Sequence, residues 1–163
     1  MADRDPRFDP LGMIAALDRH RVSYIVIGGF ARVIQGADET TRGVDIVPST
    51  RPENLRRLDL ALDDLDASPA DGGDRVLMEP GEQPYALRTG LGELKVVTVP
   101  AGTGGYDDLR RAARREPLGR GVRPAVASTG DLARMLAAHE GASPALAQLR
   151  RLAELEQQRG IDH

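Results

Sequence analysis

A run of β-branched and aromatic residues, Val22 to Ile27, ends abruptly at Gly28-Gly29, and a second such run, Val44 to Val47, follows some fifteen positions later. Side chains of this kind fit a pleated, buried surface, and adjacent glycines interrupt regular structure, so the first run reads as a buried strand entering a tight turn. Phe30 to Gln35 then makes a short helix closed by Gly36, and the polar stretch Ala37 to Thr41 leads into the second strand, which Pro48 stops. A chain organised in this way must place a sheet at its centre and pack helices against it.

The flanking segments carry the same alternation. Leu11, Ile14, Ala15 and Leu17 recur at helical spacing, which predicts a helix from Leu11 to His20 with Asp9 and Pro10 as its cap and first residue. Arg51-Pro52-Glu53 opens a helix through about Leu65, with Leu55, Leu58, Leu62 and Leu65 on one face. Tyr85 to Thr89 and Glu93 to Val99 flank Gly90-Leu91-Gly92 and read as a hairpin. Ser68 to Gly73 and Glu79 to Pro84 are predicted loops, the first of them the better candidate for a mobile one. Gly105 to Arg115 is predicted as a basic helix and Gly121 to Ala127 as a last strand. Ser128, with Asp131 three residues on, caps one further helix, and Pro144 after Ser143 starts the final one, to about Gln158. The expected fold is therefore α/β, a small mixed sheet flanked by helices. One domain spans residues 1–163, its core at about 11–127 and its helical C-terminal part at about 128–158.

Composition narrows the chemistry. With 163 residues, 40 % of them hydrophobic and 29 % charged, the chain is an ordinary globular one, but only 3 % is aromatic, which disfavours stacking platforms for single-stranded nucleic acid. The absence of Cys excludes disulfides, thiolate catalysis and Cys-ligated zinc. His20, His139 and His163 are too scattered to suggest a metal site. A net charge of -3 argues against broad capture of nucleic acid, leaving only local basic faces. No apolar run approaches the length of a bilayer span and the N-terminus has no apolar leader core, so a cytoplasmic protein is expected. Of the 22 basic residues, Lys95 alone is a lysine.

The densest chemical signal is Tyr24 to Ala31 followed by Thr41-Arg42-Gly43-Val44-Asp45-Ile46-Val47. Glycines at a strand-to-helix junction let backbone N–H groups approach phosphate, and carboxylates on the next strand can hold Mg²⁺. Arg42 beside this segment and Arg88 on the hairpin are candidate phosphate contacts. Arg110, Arg111, Arg114 and Arg115 form a basic cluster that an RNA or an acidic partner could use, although a solvated face is its default meaning. Ser49 and Thr50 read as cap residues of the following helix, since no base is placed beside them.

In order along the chain, Val26-Ile27-Gly28-Gly29-Phe30-Ala31, Gly36, Thr41-Arg42, Asp45-Ile46-Val47, Pro52-Glu53-Asn54-Leu55, the hairpin Leu87 to Val97 and Gly105-Tyr106-Asp107-Asp108-Leu109 resemble the minimal nucleotidyltransferases of the DNA polymerase β superfamily. The likeness is strongest to the AbiEii-like and related bacterial toxin–antitoxin enzymes, and it spans about Leu11 to Leu155. The resemblance implies that Gly28 and Gly29 face nucleotide phosphates. It also implies a metal-binding set of two carboxylates two residues apart on one strand and a third on the later hairpin strand. Those positions fall on Gly43, Asp45 and Lys95, so Asp45 is the single carboxylate retained. Leu136 and the stretch Ala142-Ser143-Pro144-Ala145 likewise stand where relatives carry charged residues.

Two metal ions need several anionic oxygens, and one carboxylate with an ammonium binds Mg²⁺ poorly. The reading that follows is a catalytically degenerate nucleotidyltransferase of toxin–antitoxin type. It binds a nucleotide or a protein partner such as a cognate antitoxin, with Lys95 neutralising Asp45 and with Gly28, Gly29, Arg42 and Lys95 toward the nucleotide. The first alternative is an active Mg²⁺-dependent enzyme moving a nucleoside monophosphate from an NTP to a hydroxyl of tRNA or protein, with Glu93, or Asp38 or Glu39 from the loop, supplying a missing ligand. The second is an interaction protein that uses the Arg110 to Arg115 helix.

Overall fold

A computed structural model describes residues 8–76, 84–140 and 143–161. It contains six helices and seven strands among them, the strands forming one mixed sheet. Helix α1 (Pro10–Arg19) begins as its sequence requires: Pro10 occupies the first turn, and the Asp9 carboxylate accepts the Gly12 N–H at 3.0 Å. Its buried stripe is Met13, Ile14, Ala16 and Leu17. Strand β1 (Tyr24–Ile27) is buried along its whole length, as expected of a central strand. Helix α2 (Gly28–Ile34) starts at once, so Gly28-Gly29 is the first turn of the helix and not a separate turn before it.

Strand β2 (Gly43–Pro48) runs antiparallel to β1, with Tyr24 opposite Pro48 at one end and Ile27 opposite Asp45 at the other. Helix α3 (Pro52–Asp64) buries Leu55, Leu58, Ala61 and Leu62 and packs beside α1. It also buries Asn54, whose carboxamide reaches across to the sheet. Its oxygen accepts the Ser23 N–H at 2.7 Å, and its nitrogen donates to the Ser23 and Ser49 carbonyls at 2.9 and 2.8 Å. A buried amide satisfied three times in this way fastens the end of the β1–β2 pair to α3.

Strand β3 (Ser68–Pro69) pairs with β4 (Tyr85–Thr89), so the predicted loop at Ser68 begins as a short edge strand. Of the second predicted loop only Pro84 falls among the described residues. Strands β4 and β5 (Gly92–Val96) form the expected hairpin, and β5 runs parallel to β2. The sheet order is β3-β4-β5-β2-β1-β7-β6, with β6 (Arg114–Arg115) and β7 (Ala125–Val126) at the far edge.

The predicted basic helix from Gly105 to Arg115 does not form. Helix α4 (Tyr106–Leu109) is a single turn, Arg110 and Arg111 lie just beyond it, and Arg114 and Arg115 pair with Val126 and Ala125 at the sheet edge. Leu109 is the one fully buried apolar anchor of that segment, too little to hold three helical turns against the ladder bonds offered by β7. The predicted strand Gly121 to Ala127 shrinks to Ala125–Val126 because Pro124 has no N–H to give a ladder.

Helix α5 (Thr129–Glu140) is capped by Ser128, whose hydroxyl accepts the Asp131 N–H at 3.0 Å. It touches α2 and packs along α6 (Pro144–Ile161), which starts at the predicted proline with the Ser143 hydroxyl accepting the Leu146 N–H. Among the described residues the buried side chains of sheet and helices join in one apolar cluster, and no helix is long and apolar enough to cross a membrane.

Candidate functional site

The site forms where β1 ends. Because Ile27 is opposite Asp45, the residue after it begins α2 directly against the Asp45 side chain. Gly28 has φ +72, and a Cβ there would lie 2.4 Å from Asp45 Oδ2, so this junction needs glycine for backbone and space alike. Gly29 is roomier: its nearest outside neighbours, Arg32 Nη2 and Thr41 Oγ1, would be 3.6 Å from an added Cβ. The N-cap residue of α2, Ile27, makes no side-chain capping bond, which leaves the leading N–H groups of the helix to other acceptors.

Strand alternation sets the rest. On β2, Val44 and Ile46 point into the core and Asp45 points away from it; on β5, Leu94 and Val96 are buried while Glu93 and Lys95 are exposed. Parallel pairing then places Lys95 opposite Asp45 and Glu93 opposite Gly43. Gly43 is crowded, since a Cβ would sit 3.0 Å from the Glu93 carbonyl oxygen and 3.1 Å from Glu93 Cβ. The Thr41 hydroxyl donates to the Gly43 carbonyl at 3.0 Å and holds the entry to the strand.

Asp45 is half-buried, and that burial pushes its carboxyl above the ordinary carboxylate value. Lys95 and Arg32 act in the opposite direction, and Glu93 adds to the rise. Lys95 thus reaches Asp45 through space, but no hydrogen bond or ion pair joins them. The expected neutralisation of Asp45 by Lys95 acts across the register and through space, without direct contact. An exposed ammonium keeps its hydration shell in preference to a partner in partial burial.

Two hollows meet at Gly29, Asp45 and Lys95. One, of about 520 Å³, continues past Gly28 and Arg32 to Val97, Leu136 and His139. The other, of about 550 Å³, runs past Thr41 and Arg42 to Glu93. The structure therefore brings Gly28, Gly29, Arg42, Gly43, Asp45, Glu93 and Lys95 around one cleft, with Leu136 on its apolar wall. Arg88, opposite Glu93 in the β4–β5 pair, lies on the same face of the sheet as Glu93 and Lys95 but lines neither hollow. Glu39 is held by Arg32 at 2.7 and 2.9 Å, and the Asp38 N–H donates to Gln148, so neither loop acid lines the cleft. His20 pairs with Asp64 at 2.5 Å, distant in the fold from His139, while Ala142 and His163 lie outside the described residues.

Arg32 is the residue that sequence reasoning missed. It stands four positions after Gly28, one helical turn on, and that spacing is the signal that could have found it.

The donor set does not fit a resident Mg²⁺ pair. A hard dication takes several oxygen ligands, whereas Asp45 is a single half-buried carboxylate under the field of two cations. No group of three or more His, Cys, Asp or Glu side chains capable of holding a metal occurs among the described residues. What the cleft offers instead is helix N–H groups, guanidinium and ammonium beside an apolar wall, an arrangement suited to an anion carrying an apolar body.

No protein-family model matches the sequence, and no curated protein matches it. Solved structures do. A candidate nucleotidyltransferase from Thermotoga maritima superposes with a TM-score of 0.55 at 16 % identity, covering 93 % of this chain and 88 % of that one. The lincosamide antibiotic adenylyltransferase LnuA, solved with lincomycin, gives a TM-score of 0.60 at 14 % identity, over 90 % of this chain and 98 % of its own. The antibiotic-resistance factor ANT(2'')-Ia gives 0.57 at 14 % identity, over 90 % and 82 %. At such identities the likeness speaks for architecture alone, and architecture is shared along nearly the whole length: the chain has a nucleotidyltransferase fold.

Proposed function

We propose that this nucleotidyltransferase-fold protein is a catalytically degenerate member of the toxin–antitoxin type, a module that binds the phosphates of a nucleotide without metal. The observation that carries the reading is the register of β2 and β5, which sets Lys95 opposite Asp45 and leaves Gly43 without a carboxylate. An ammonium in that place brings positive charge to the cleft, so the phosphates need no ion to be held there. The α2 N–H groups at Gly28-Gly29 and the Arg42 guanidinium add donors from the two sides of the cleft. The toxin–antitoxin setting, with a cognate protein as partner, rests on the sequence resemblance.

Calorimetric titration with each NTP, first with Mg²⁺ and then with EDTA, tests the proposal. Equal affinity in both conditions, lost in Lys95→Ala, is the expected result; binding that requires Mg²⁺ overturns it. A second reading has one observation in its favour: Glu93 lies close enough to Asp45 to raise its carboxyl. If those two acids share a metal, the protein is an active transferase, and Mg²⁺-dependent release of pyrophosphate from an NTP, abolished in Glu93→Gln, is its signature.

A further inference from the structure

The arginines that the sequence concentrates after Leu109 are not laid along a helix, and the fold gives them different neighbours. Tyr24 and Pro48 mark the end of the β1–β2 pair remote from Gly28 and Asp45, about 10 Å along the strands. Two further hollows open at that pole. One, of about 360 Å³, has Arg21 and Arg115 in its wall together with Tyr24. The other, of about 270 Å³, is lined by Arg51, Arg57 and Arg110. Ser23 and Tyr106 belong to both, so the hollows are contiguous and Tyr106 stands at their junction.

The charge balance there is opposite to that of the chain as a whole. Five arginines and three carboxylates line the two hollows, in a protein of net charge -3. Each carboxylate is already engaged: Asp18 accepts the Tyr24 hydroxyl at 2.9 Å, Glu53 pairs with Arg57 at 2.8 Å, and Asp107 with Arg110 at 3.5 Å. The last two pairs are exposed, so an incoming anion can displace them at small cost. Arg21 and Arg51 are exposed and form no ion pair among the described residues. Arg115 is directed toward the hollow by its bond to the Arg123 carbonyl at 3.1 Å, and its charge is felt at the Tyr24 hydroxyl. Arg111, Arg114 and Arg123 are exposed in the neighbouring sequence but line neither hollow.

We infer that this arginine pole is a second ligand site, separate from the Gly28–Asp45 cleft, and that it takes a single-stranded nucleic acid through its phosphodiester backbone. Guanidinium forks match phosphate oxygens two at a time, and two adjoining hollows suit a ligand whose phosphates repeat. The half-buried Tyr106 between them distinguishes nucleic acid from an acidic peptide, because an aromatic ring flanked by arginines provides a surface for a base as well as for phosphates. Tyr24, also at this pole, is buried in the core with its hydroxyl on Asp18, so of the two tyrosines Tyr106 is the one that offers a ring. RNA and DNA share the phosphodiester chemistry, and the test separates them.

The full-length protein is titrated into fluorescein-labelled strands of about 10 nucleotides, RNA and DNA of one sequence, and anisotropy is read at several salt concentrations. Micromolar binding is expected, weakening steeply with salt. Arg51→Glu with Arg110→Glu is expected to reduce affinity at least tenfold and to flatten the slope of log affinity against log salt by about 0.7 for each phosphate that is no longer neutralised. Thermal melts of that variant, at exposed positions, show that it folds, and Tyr106→Leu separates the stacking contribution. Asp45→Asn, in the other cleft, is expected to leave binding unchanged. Tighter binding of RNA than of DNA assigns the site to RNA, and equal binding to the backbone alone; both support the inference. Absence of binding at low salt, binding indifferent to the charge reversals, or equal binding of labelled polyglutamate overturns it.

Discussion

Gly28→Ala isolates the contact that makes the cleft. The new methyl group would lie 2.4 Å from Asp45 Oδ2 and 2.9 Å from its Cγ, on a residue whose φ is +72. Two separable costs follow. The left-handed backbone costs an L-residue about 1–2 kcal/mol, and forcing a packed neighbour aside costs about 1–3 kcal/mol more. A total of about 2–5 kcal/mol in a domain of this size lowers Tm by about 5–15 °C. Gly29→Ala is the control, since its methyl meets nothing nearer than 3.6 Å, and it is expected to be neutral or mildly stabilising in the helix. Urea melts of Gly28→Ala in wild-type and Asp45→Ala backgrounds complete a double-mutant cycle. Removing the carboxylate leaves only Asp45 Cβ, 3.1 Å away, so most of the steric part, about 1–3 kcal/mol, should be lost and the backbone part remain. An equal cost in both backgrounds, or a Gly28→Ala protein as stable as Gly29→Ala, refutes the reasoning.

Asn54→Ala strips three hydrogen bonds from a buried position and orphans Ser23 and Ser49 backbone groups; a loss of about 2–4 kcal/mol is expected in urea melts. Asp45 is held above the usual carboxylate value of 3.8, so the folded state binds the proton more tightly and stability falls as pH rises through that window. Asp45→Asn should therefore raise Tm at neutral pH and lose the advantage in acid, as followed by circular dichroism. Asp9 behaves oppositely: the Gly12 N–H and Arg120 hold it below 3.8, so its contribution is full above that pH and is lost as pH falls below it. Asp9→Ala should flatten the acid limb of the stability curve. Gly43→Asp with Lys95→Asp restores three strand carboxylates, and the double variant, unlike the wild type, should gain thermal stability on addition of Mg²⁺. The Glu93 backbone has to yield a few tenths of an ångström at Gly43, so the apo form should be less stable than the wild type.

The elements with strong local signals were legible in the sequence. Proline with a capping residue fixed the starts of α1 and α6, proline alone that of α3, and leucine spacing gave the buried face of α3. The hairpin followed from its glycines. What failed was decided by long-range pairing. Nothing local in Leu109-Arg110-Arg111-Ala112-Ala113-Arg114-Arg115 shows that β7 will recruit its last residues into the sheet. The Gly28-Gly29 and Asp45 segments could be singled out from sequence, but not the register that sets Lys95 opposite Asp45, which depends on parallel pairing between strands nearly fifty residues apart. Arg32 was hidden for a different reason: a helical arginine without its tertiary partner looks like any solvated one.

The alternation along β2 and β5 separates two tasks that many proteins entangle. Val44, Ile46, Leu94 and Val96 carry the packing, whereas Asp45, Glu93 and Lys95 carry the charge, on the opposite side of the same two strands. A one-residue slip would turn Lys95 into the core, so the apolar face guards the alignment of the charged one. Within that alignment, residue 95 can change from anion to cation without asking anything of the core. A scaffold of this kind can exchange one chemistry for another by rewriting a few outward positions while the apolar face keeps the shape unchanged.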